Sequence, residues 1–180
     1  MIVIVDYRMG NLGSLKNMLG KIGAECMISS EPEVIAAADK LILPGVGSFD
    51  NAMTNIRQMG LETVLNQKVI EQRTPLLGIC LGMQLLARSS EEGVQPGLGW
   101  IDAKVVRFNF AGLDTGNRRL TIPHMGWNSL TVKTPDRLFA DMEPQAMFYF
   151  VHSYHFCCDH PQDSWANSFY GYEFTAVAGR

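Results

Sequence analysis

Cysteine is scarce in this chain, and the four that occur, Cys26, Cys80, Cys157 and Cys158, show no paired spacing. That excludes a disulfide-stapled secreted scaffold, and adjacent Cys157-Cys158 do not make a metal knuckle; a reduced, cytoplasmic setting is expected. No metal-ligand set and no cofactor motif stands out, so neither a metal nor a cofactor is expected. Long apolar runs are missing as well: no stretch approaches the roughly 18 residues a membrane helix needs. Residues 1–6 carry no basic leader and are too short for a signal core, so no targeting segment and no membrane partner is expected. Basic clusters are lacking beyond Arg118-Arg119, and the net charge is −3, which argues against nucleic acid or an anionic membrane as the main partner. There is no internal repeat and no low-complexity tract. What remains is ordinary for one globular domain with a sizeable core: 180 residues, 47% apolar and 18% charged.

The first ninety residues alternate between strand and helix signals. Residues 2–5 are a continuous β-branched run, the mark of a strand buried on both faces of a parallel sheet. A glycine-bearing turn follows (Gly10-Asn11-Leu12-Gly13), then Ser14 as the expected N-cap of a helix to about Ile22. This turn lacks dinucleotide-binding spacing and a Walker lysine, so a helix entry is favoured over a phosphate cradle. A second strand is expected at residues 26–29. Glu31-Pro32-Glu33 opens a second helix, with Pro early and acids in the first turn. A third strand at residues 40–43 ends in Pro44-Gly45-Val46-Gly47-Ser48-Phe49, a helix is expected over residues 51–68, and a fourth, buried strand over residues 76–79. This order predicts an α/β fold: a mostly parallel, flavodoxin-like sheet with helices on both faces. After the turn-rich residues 93–99 the pattern changes. Short β-like runs at residues 103–108, 120–122, 129–132, 148–154 and 172–178 read as antiparallel additions, and residues 109–117 as a loop. One domain over residues 1–180 is expected, with no second domain.

The chemistry concentrates at Gly78-Ile79-Cys80-Leu81-Gly82. An apolar strand, a Gly-x-Cys-x-Gly turn and a helix put a thiol at the apex of a sharp bend, the layout that with serine is the nucleophile elbow of α/β-hydrolases. A lone cysteine there would read as a small core hydrophobe. With both glycines, the strand before and the helix after, a nucleophile is the better reading, and its helix-start position is expected to depress the thiol's pKa. A thiolate attacking a carbonyl needs N–H donors for the oxyanion. The Leu81 amide and the Gly45-Val46-Gly47 turn are the candidates, since carboxyl ends of parallel strands are where such folds bind substrates.

These two runs resemble class I (triad) glutamine amidotransferases. Three others narrow the resemblance: Asp6-Tyr7 with Gly10-Asn11-Leu12, Pro123-His124-Met125-Gly126-Trp127-Asn128, and Tyr149-Phe150-Val151-His152-Ser153-Tyr154. Together they are similar to the glutaminase subunits of imidazole glycerol phosphate synthases, over the whole chain. The resemblance implies that Cys80 attacks the side-chain amide of glutamine, with the Val46 and Leu81 amides as oxyanion hole. It implies that Gly45, Gly47, Gln84 and Glu92, with the Ser153-Tyr154 backbone, bind the substrate. It puts Asn11, Trp127 and Tyr149 toward a partner, a (β/α)₈-barrel cyclase that completes a heterodimer and receives the ammonia. Taken alone, Glu92 would read as a solvated charge and Trp127 as core.

The resemblance also implies a catalytic histidine and glutamate in a His-Pro-Glu run that belongs shortly after residue 180. The chain is therefore expected to lack its C-terminal end and to be catalytically incomplete. His152 and His155, three apart, are expected on opposite faces of one strand, and neither matches the position of the base. Three alternatives stand beside the main reading: a paralogous subunit supplying ammonia to a surface-sugar amidotransferase, a catalytically dead binding subunit, and an unrelated cysteine hydrolase, against which the Met-Gly-Trp-Asn run counts.

Overall fold

A computed structural model describes residues 1–114, 119–135 and 137–180. Residues 115–117 of the expected loop and Arg118 of the arginine pair lie outside the described residues. The chain divides into two compact units, Met1–Trp100 and Ile101–Arg180.

The first unit is built on four short parallel strands, β1 (Ile2–Val5), β2 (Cys26–Ser29), β3 (Lys40–Leu43) and β4 (Leu76–Gly78), in the order β2-β1-β3-β4. Ile2 pairs with Cys26 on one side and Lys40 on the other, and Leu41 pairs with Leu76. Val3, Ile4, Val5 and Leu43 are fully buried, as continuous apolar runs in a parallel sheet should be. β4 differs from expectation. Leu77 is 42% exposed, because β4 has a neighbour only at β3 in this sheet.

Helices α1 (Leu12–Lys21), α2 (Pro32–Ala36), α3 (Phe49–Gln58), α4 (Leu61–Asn66) and α5 (Leu81–Gln84) connect these strands, and a two-residue strand β5 (Ser89–Ser90) follows. Two expectations need correction. The cap of α1 is Asn11, whose side-chain oxygen accepts from the Ser14 amide at 3.2 Å; Ser14 lies inside the helix. The single helix over residues 51–68 is three pieces. α3 stops at Met59 and Gly60, where the glycine takes φ +68°, a left-handed turn that ends a helix cheaply; α4 restarts and runs into a π-helical turn at Gln67–Glu71.

The second unit is antiparallel. Strands β6 (Ala103–Arg107), β8 (Thr131–Val132), β10 (Tyr154–Cys158), β11 (Ser164–Tyr170) and β12 (Tyr172–Ala178) align in the order β6-β10-β12-β11-β8. β7 (His124–Ser129) and β9 (Met147–His152) form a separate ribbon in which Trp127 faces Tyr149. The expected strand over residues 148–154 is broken at Ser153, whose carbonyl accepts from the Phe108 amide, so that β9 and β10 join different sheets. The expected run at residues 129–132 belongs to two strands, β7 and β8. Residues 120–122 are not a strand. The Tyr170 hydroxyl occupies both Thr121 backbone groups, accepting from its N–H at 3.1 Å and donating to its carbonyl at 2.8 Å, which leaves no ladder for a neighbour to extend. β11 left little signal because its buried positions are Ala166 and Ser168, too small and too polar to print an apolar period.

Phe108 anchors this unit's core, 2% exposed and ringed by Phe110, Tyr170, Tyr172 and Phe174 at centroid distances of 5.3–5.8 Å. His152 and His155 both lie against it, at 5.0 and 4.7 Å. The expectation of opposite faces fails because the break at Ser153 puts them in successive strands that share one core.

Candidate active site

Cys80 stands between β4 and α5 with φ +54° and ψ −115°, a left-handed conformation costly for any residue with a Cβ. The flanking glycines make the bend possible by their absence of side chains. A Cβ on Gly78 would sit 2.8 Å from the Met83 backbone, and one on Gly82 would overlap the Leu43 carbonyl oxygen at the end of β3. Strand, turn and helix are thus pressed together, with the thiol outside the bend. The main chain is well satisfied: Gly82 N–H donates to Ile79, and Met83 and Gln84 donate to Cys80.

The expected depression of the thiol's pKa is overturned. Cys80 is open to solvent on one side but crowded on the others, and burial pushes its thiol above the ordinary value; the Leu81 N–H, donating to it, pulls it partly back. α5 has only four residues, so its dipole is too short to win.

The turn after β3 lies directly against this elbow. A Cβ on Gly45 would meet the Leu81 Cβ at 2.9 Å and the Gly82 nitrogen at 3.0 Å. Pro44 and Gly45 are buried, whereas Val46 is 58% exposed and, among the described residues, its N–H has no hydrogen-bond partner. Gly47 takes φ +115° under the Met9 side chain. The turn after β1 completes the group: a Cβ on Gly10 would stand 3.4 Å from the Gly45 nitrogen. β1 and β3 are neighbours whose connections leave in opposite directions, β1 to β2 and β3 to β4. Such a switch point opens a crevice beyond the carboxyl ends of the strands.

The first unit therefore brings together Gly45, Val46, Gly47, Cys80, Leu81 and, one turn into α5, half-buried Gln84. Glu92 is adjacent to the same turn, one carboxylate oxygen accepting from the Phe49 amide at 2.9 Å at the start of α3. Asn11 is exposed at the start of α1. Ser153, Tyr154, Trp127 and Tyr149 belong to the second unit. Trp127 is 67% exposed and edge-on to Tyr149 at 5.5 Å, so the core reading of this tryptophan fails.

A model of the family described as glutamine amidotransferase class-I matches residues 3–173. The chain belongs to the class-I glutamine amidotransferases. Among curated relatives of this amidotransferase, imidazole glycerol phosphate synthase subunit HisH 2 of Methanococcus maripaludis is 48% identical over 180 residues, covering 100% of this chain and 86% of the relative. The protein of the same name in Pseudomonas aeruginosa is 44% identical with the same coverage, and subunit HisH of Sulfurimonas denitrificans is 47% identical over 98% of this chain and 84% of its own length. Two solved glutamine amidotransferases share the fold. One has a TM-score of 0.62 at 22% identity, over 92% of this chain and 79% of the other. The second, from Thermotoga maritima, scores 0.60 at 14% identity, over 94% and 71%.

In this amidotransferase three of the four histidines, His124, His152 and His155, are engaged by partners within the second unit. None occurs in residues 1–100. His124 Nδ1 lies 3.0 Å from His152 Nε2, and His152 Nδ1 donates to the Tyr154 carbonyl at 2.9 Å. His155 bridges the Phe156 carbonyl and the Tyr172 hydroxyl. Burial lowers His124, and burial with its two histidine neighbours holds His152 down at about 4, against a lesser opposing pull from the Tyr154 carbonyl. One residue escaped sequence reasoning as a site residue. Tyr7, fully buried just past β1, donates its hydroxyl to the Pro44 carbonyl beneath the β3 turn. A phenol directly after a strand's carboxyl end was the signal available.

Proposed function

We propose that this chain is the glutaminase subunit of an imidazole glycerol phosphate synthase, a single amidotransferase domain that hydrolyses glutamine and hands the ammonia to a (β/α)₈-barrel cyclase. The observation that carries the reading is the elbow at Cys80 packed against an exposed turn whose Val46 N–H has no hydrogen-bond partner among the described residues. A thiol and an unengaged N–H donor in one unit are what attack on an amide carbonyl requires, which supports the roles of nucleophile and oxyanion donor. The Cys80 sulfur attacks the side-chain carbonyl of glutamine, and the carbonyl π electrons move to oxygen, which the Val46 and Leu81 amides receive. The amide nitrogen takes up the proton that the thiol gives up, and collapse then expels ammonia and leaves a glutamyl thioester that water hydrolyses to glutamate and the free thiol. Gly45, Gly47, Gln84 and Glu92 of the first unit hold the substrate in this reading, and the family resemblance adds a role for the Ser153-Tyr154 backbone. The raised pKa of the thiol means that a base must take its proton, and the engaged ring nitrogens of His152 and His155 argue against either in that role.

A partner is supported by the β7–β9 ribbon. Its register puts Met125 opposite Val151 and Trp127 opposite Tyr149, and these four are 53–67% exposed, a contiguous apolar face. This face is the proposed contact with the cyclase, and Asn11, exposed in the first unit, is proposed as a separate contact with the same partner. Ammonia delivered through a dry passage stays unprotonated and nucleophilic, which is the use of such a partner. The relatives' names favour the histidine pathway. The numeral 2 that two of them carry speaks for a second copy in those organisms, and so for the alternative of a paralogous subunit serving another synthase.

The test is labelling with a glutamine-like chloroketone, mapped by mass spectrometry. Cys80 is expected to react first and to be protected by glutamine, since positioning offsets its raised pKa; Cys158, pushed up to about 11 by burial, is expected to lag. Preferential labelling of another cysteine, or no protection, overturns the glutaminase reading. Calorimetry against a cyclase subunit tests the partner, with Trp127→Ala expected to cost at least about 1 kcal/mol of binding.

A further inference from the structure

We infer that Tyr7 is the positioning residue of the oxyanion turn: its hydroxyl, by holding the Pro44 carbonyl, fixes the peptide plane at which Gly45-Val46-Gly47 begins and so narrows the directions open to the Val46 N–H one peptide further on. The inference rests on the glutaminase reading above and adds to it a residue outside the nucleophile and its donors.

The turn needs such a hold. Gly45 and Gly47 flank Val46 without side chains, and Gly47 already sits at φ +115°, so the peptides on either side of Val46 have low barriers to rotation. Val46 is exposed and packs little. A donor that swings with its peptide is not preorganised, and preorganisation is what makes an oxyanion hole effective. The hold has to come from the buried side, where Tyr7 stands. Its ring is fully buried, and its backbone carbonyl is in turn fixed by Asn55 Nδ2 at 3.1 Å, from α3. A Cβ on Gly45 would collide with the Tyr7 hydroxyl oxygen, so the phenol lies immediately under the first glycine of the turn. In a trans peptide the N–H points opposite to the carbonyl. Anchoring the Pro44 oxygen therefore fixes the Pro44–Gly45 peptide as a unit, with Gly45 pressed against Leu81 and Gly82 of the elbow, so that the torsions of Gly45 alone separate a fixed plane from the Val46 N–H.

The bond also crosses the switch point, from the end of β1 to the end of β3, joining the two strands whose connections diverge there. Burial, and secondarily the Cys80 charge, raise the phenol above its ordinary value, so it remains a proton donor throughout the range in which a thiol enzyme works. The bond is therefore not expected to switch with pH.

The test compares two reagents at Cys80. A glutamine-like chloroketone presents a carbonyl whose oxygen uses the turn's amides, whereas iodoacetamide alkylates by direct displacement and reports the thiol alone. Tyr7→Phe is expected to slow the chloroketone by roughly 10-fold or more, the scale of losing a well-aimed oxyanion donor. The iodoacetamide rate and the protection constant for glutamine are expected to stay within about twofold. Amide hydrogen exchange is expected to quicken at residues 45–47 and not in α3. Tyr7→4-aminophenylalanine, which fills the same volume and keeps an N–H donor, is expected to retain the wild-type ratio, and it serves should the phenylalanine variant not fold. A Tyr7→Phe ratio unchanged from wild type overturns the inference while leaving the glutaminase reading intact. So does a ratio lost equally in the 4-aminophenylalanine variant. Wild-type protein that shows no preference for the chloroketone and no glutamine protection overturns both.

Discussion

The two units reach a packed interior by opposite means. In Met1–Trp100 backbone meets backbone: the elbow, the β3 turn and the β1 turn touch through glycines, and the reactive group stands outside that contact. In Ile101–Arg180 rings meet rings. Phe108 is surrounded by phenylalanines, tyrosines and histidines, and the polar ring atoms are satisfied internally. The difference teaches where tolerance lies. A glycine contact has no slack, because a methyl group needs space that a main chain cannot yield. A ring cluster can repack, but it holds titratable groups in a medium that opposes their charge.

The sharpest way to break this comparison is Gly82→Ala. The new Cβ overlaps the Leu43 carbonyl, so we expect destabilisation of at least about 4 kcal/mol, or no soluble folded protein, in denaturant titration. A loss below about 1 kcal/mol would show the elbow to be loose. Gly20→Ala in α1, where a Cβ meets nothing, is the control within the same unit and is expected to stabilise by up to about 1 kcal/mol.

Acidification probes the second unit. His152 is held at about 4 in the folded chain against an ordinary 6.5, and His124 is lowered in the same direction. The unfolded chain thus binds protons first as pH falls. The stability of the neutral cluster is complete above about 6.5, declines between 6.5 and 4, and falls no further from this source below 4. For His152 the loss is up to about 3 kcal/mol. Thermal melts at pH 7.5, 5.5 and 4.5 should show the decline, and it should be shallower in His152→Gln. Identical slopes in the two proteins would remove the histidines as its cause.

The smallest effect is expected at the ribbon. Trp127→Ala should change the stability of the free protein by no more than about 0.5 kcal/mol, since most of the ring faces solvent. A loss above about 2 kcal/mol would make the tryptophan part of the core and withdraw it from the partner surface.

Legibility in the sequence followed the same divide. Parallel strands buried on both faces print continuous apolar runs, so β1 and β3 were placed to the residue; the edge strand β2 was placed as well, though none of its residues is buried, and α2 by its early proline. The elbow was legible because a sharp bend needs glycines at stated positions. The antiparallel unit was read in part: the run at residues 172–178 is β12 to the residue and the run at 103–108 is β6 less its last position, but the strands between them were misplaced. β7 and β9 pair with each other across the chain segment that contains β8, and a ribbon with one wet face carries Met125, Trp127 and Val151 on its exposed side. Trp127, exposed there, reads as core when taken alone, and the small buried residues of β11 leave no apolar period to read.

By itself the amino-acid sequence determined the alternation of the first half, the thiol at the apex of the Gly-x-Cys-x-Gly turn, and the family. Those follow from local steric rules and from spacing along the chain. Only the tertiary structure decided the direction of the Cys80 pKa. Whether a thiol is crowded or a helix too short to stabilise its anion depends on what packs around it. It alone brought Tyr7 beneath the Pro44 carbonyl, from 37 positions away. It alone split the strand at Ser153 and gathered three histidines in one aromatic core, because a hydrogen bond or ring contact between residues distant in sequence leaves no period in the chain that makes it.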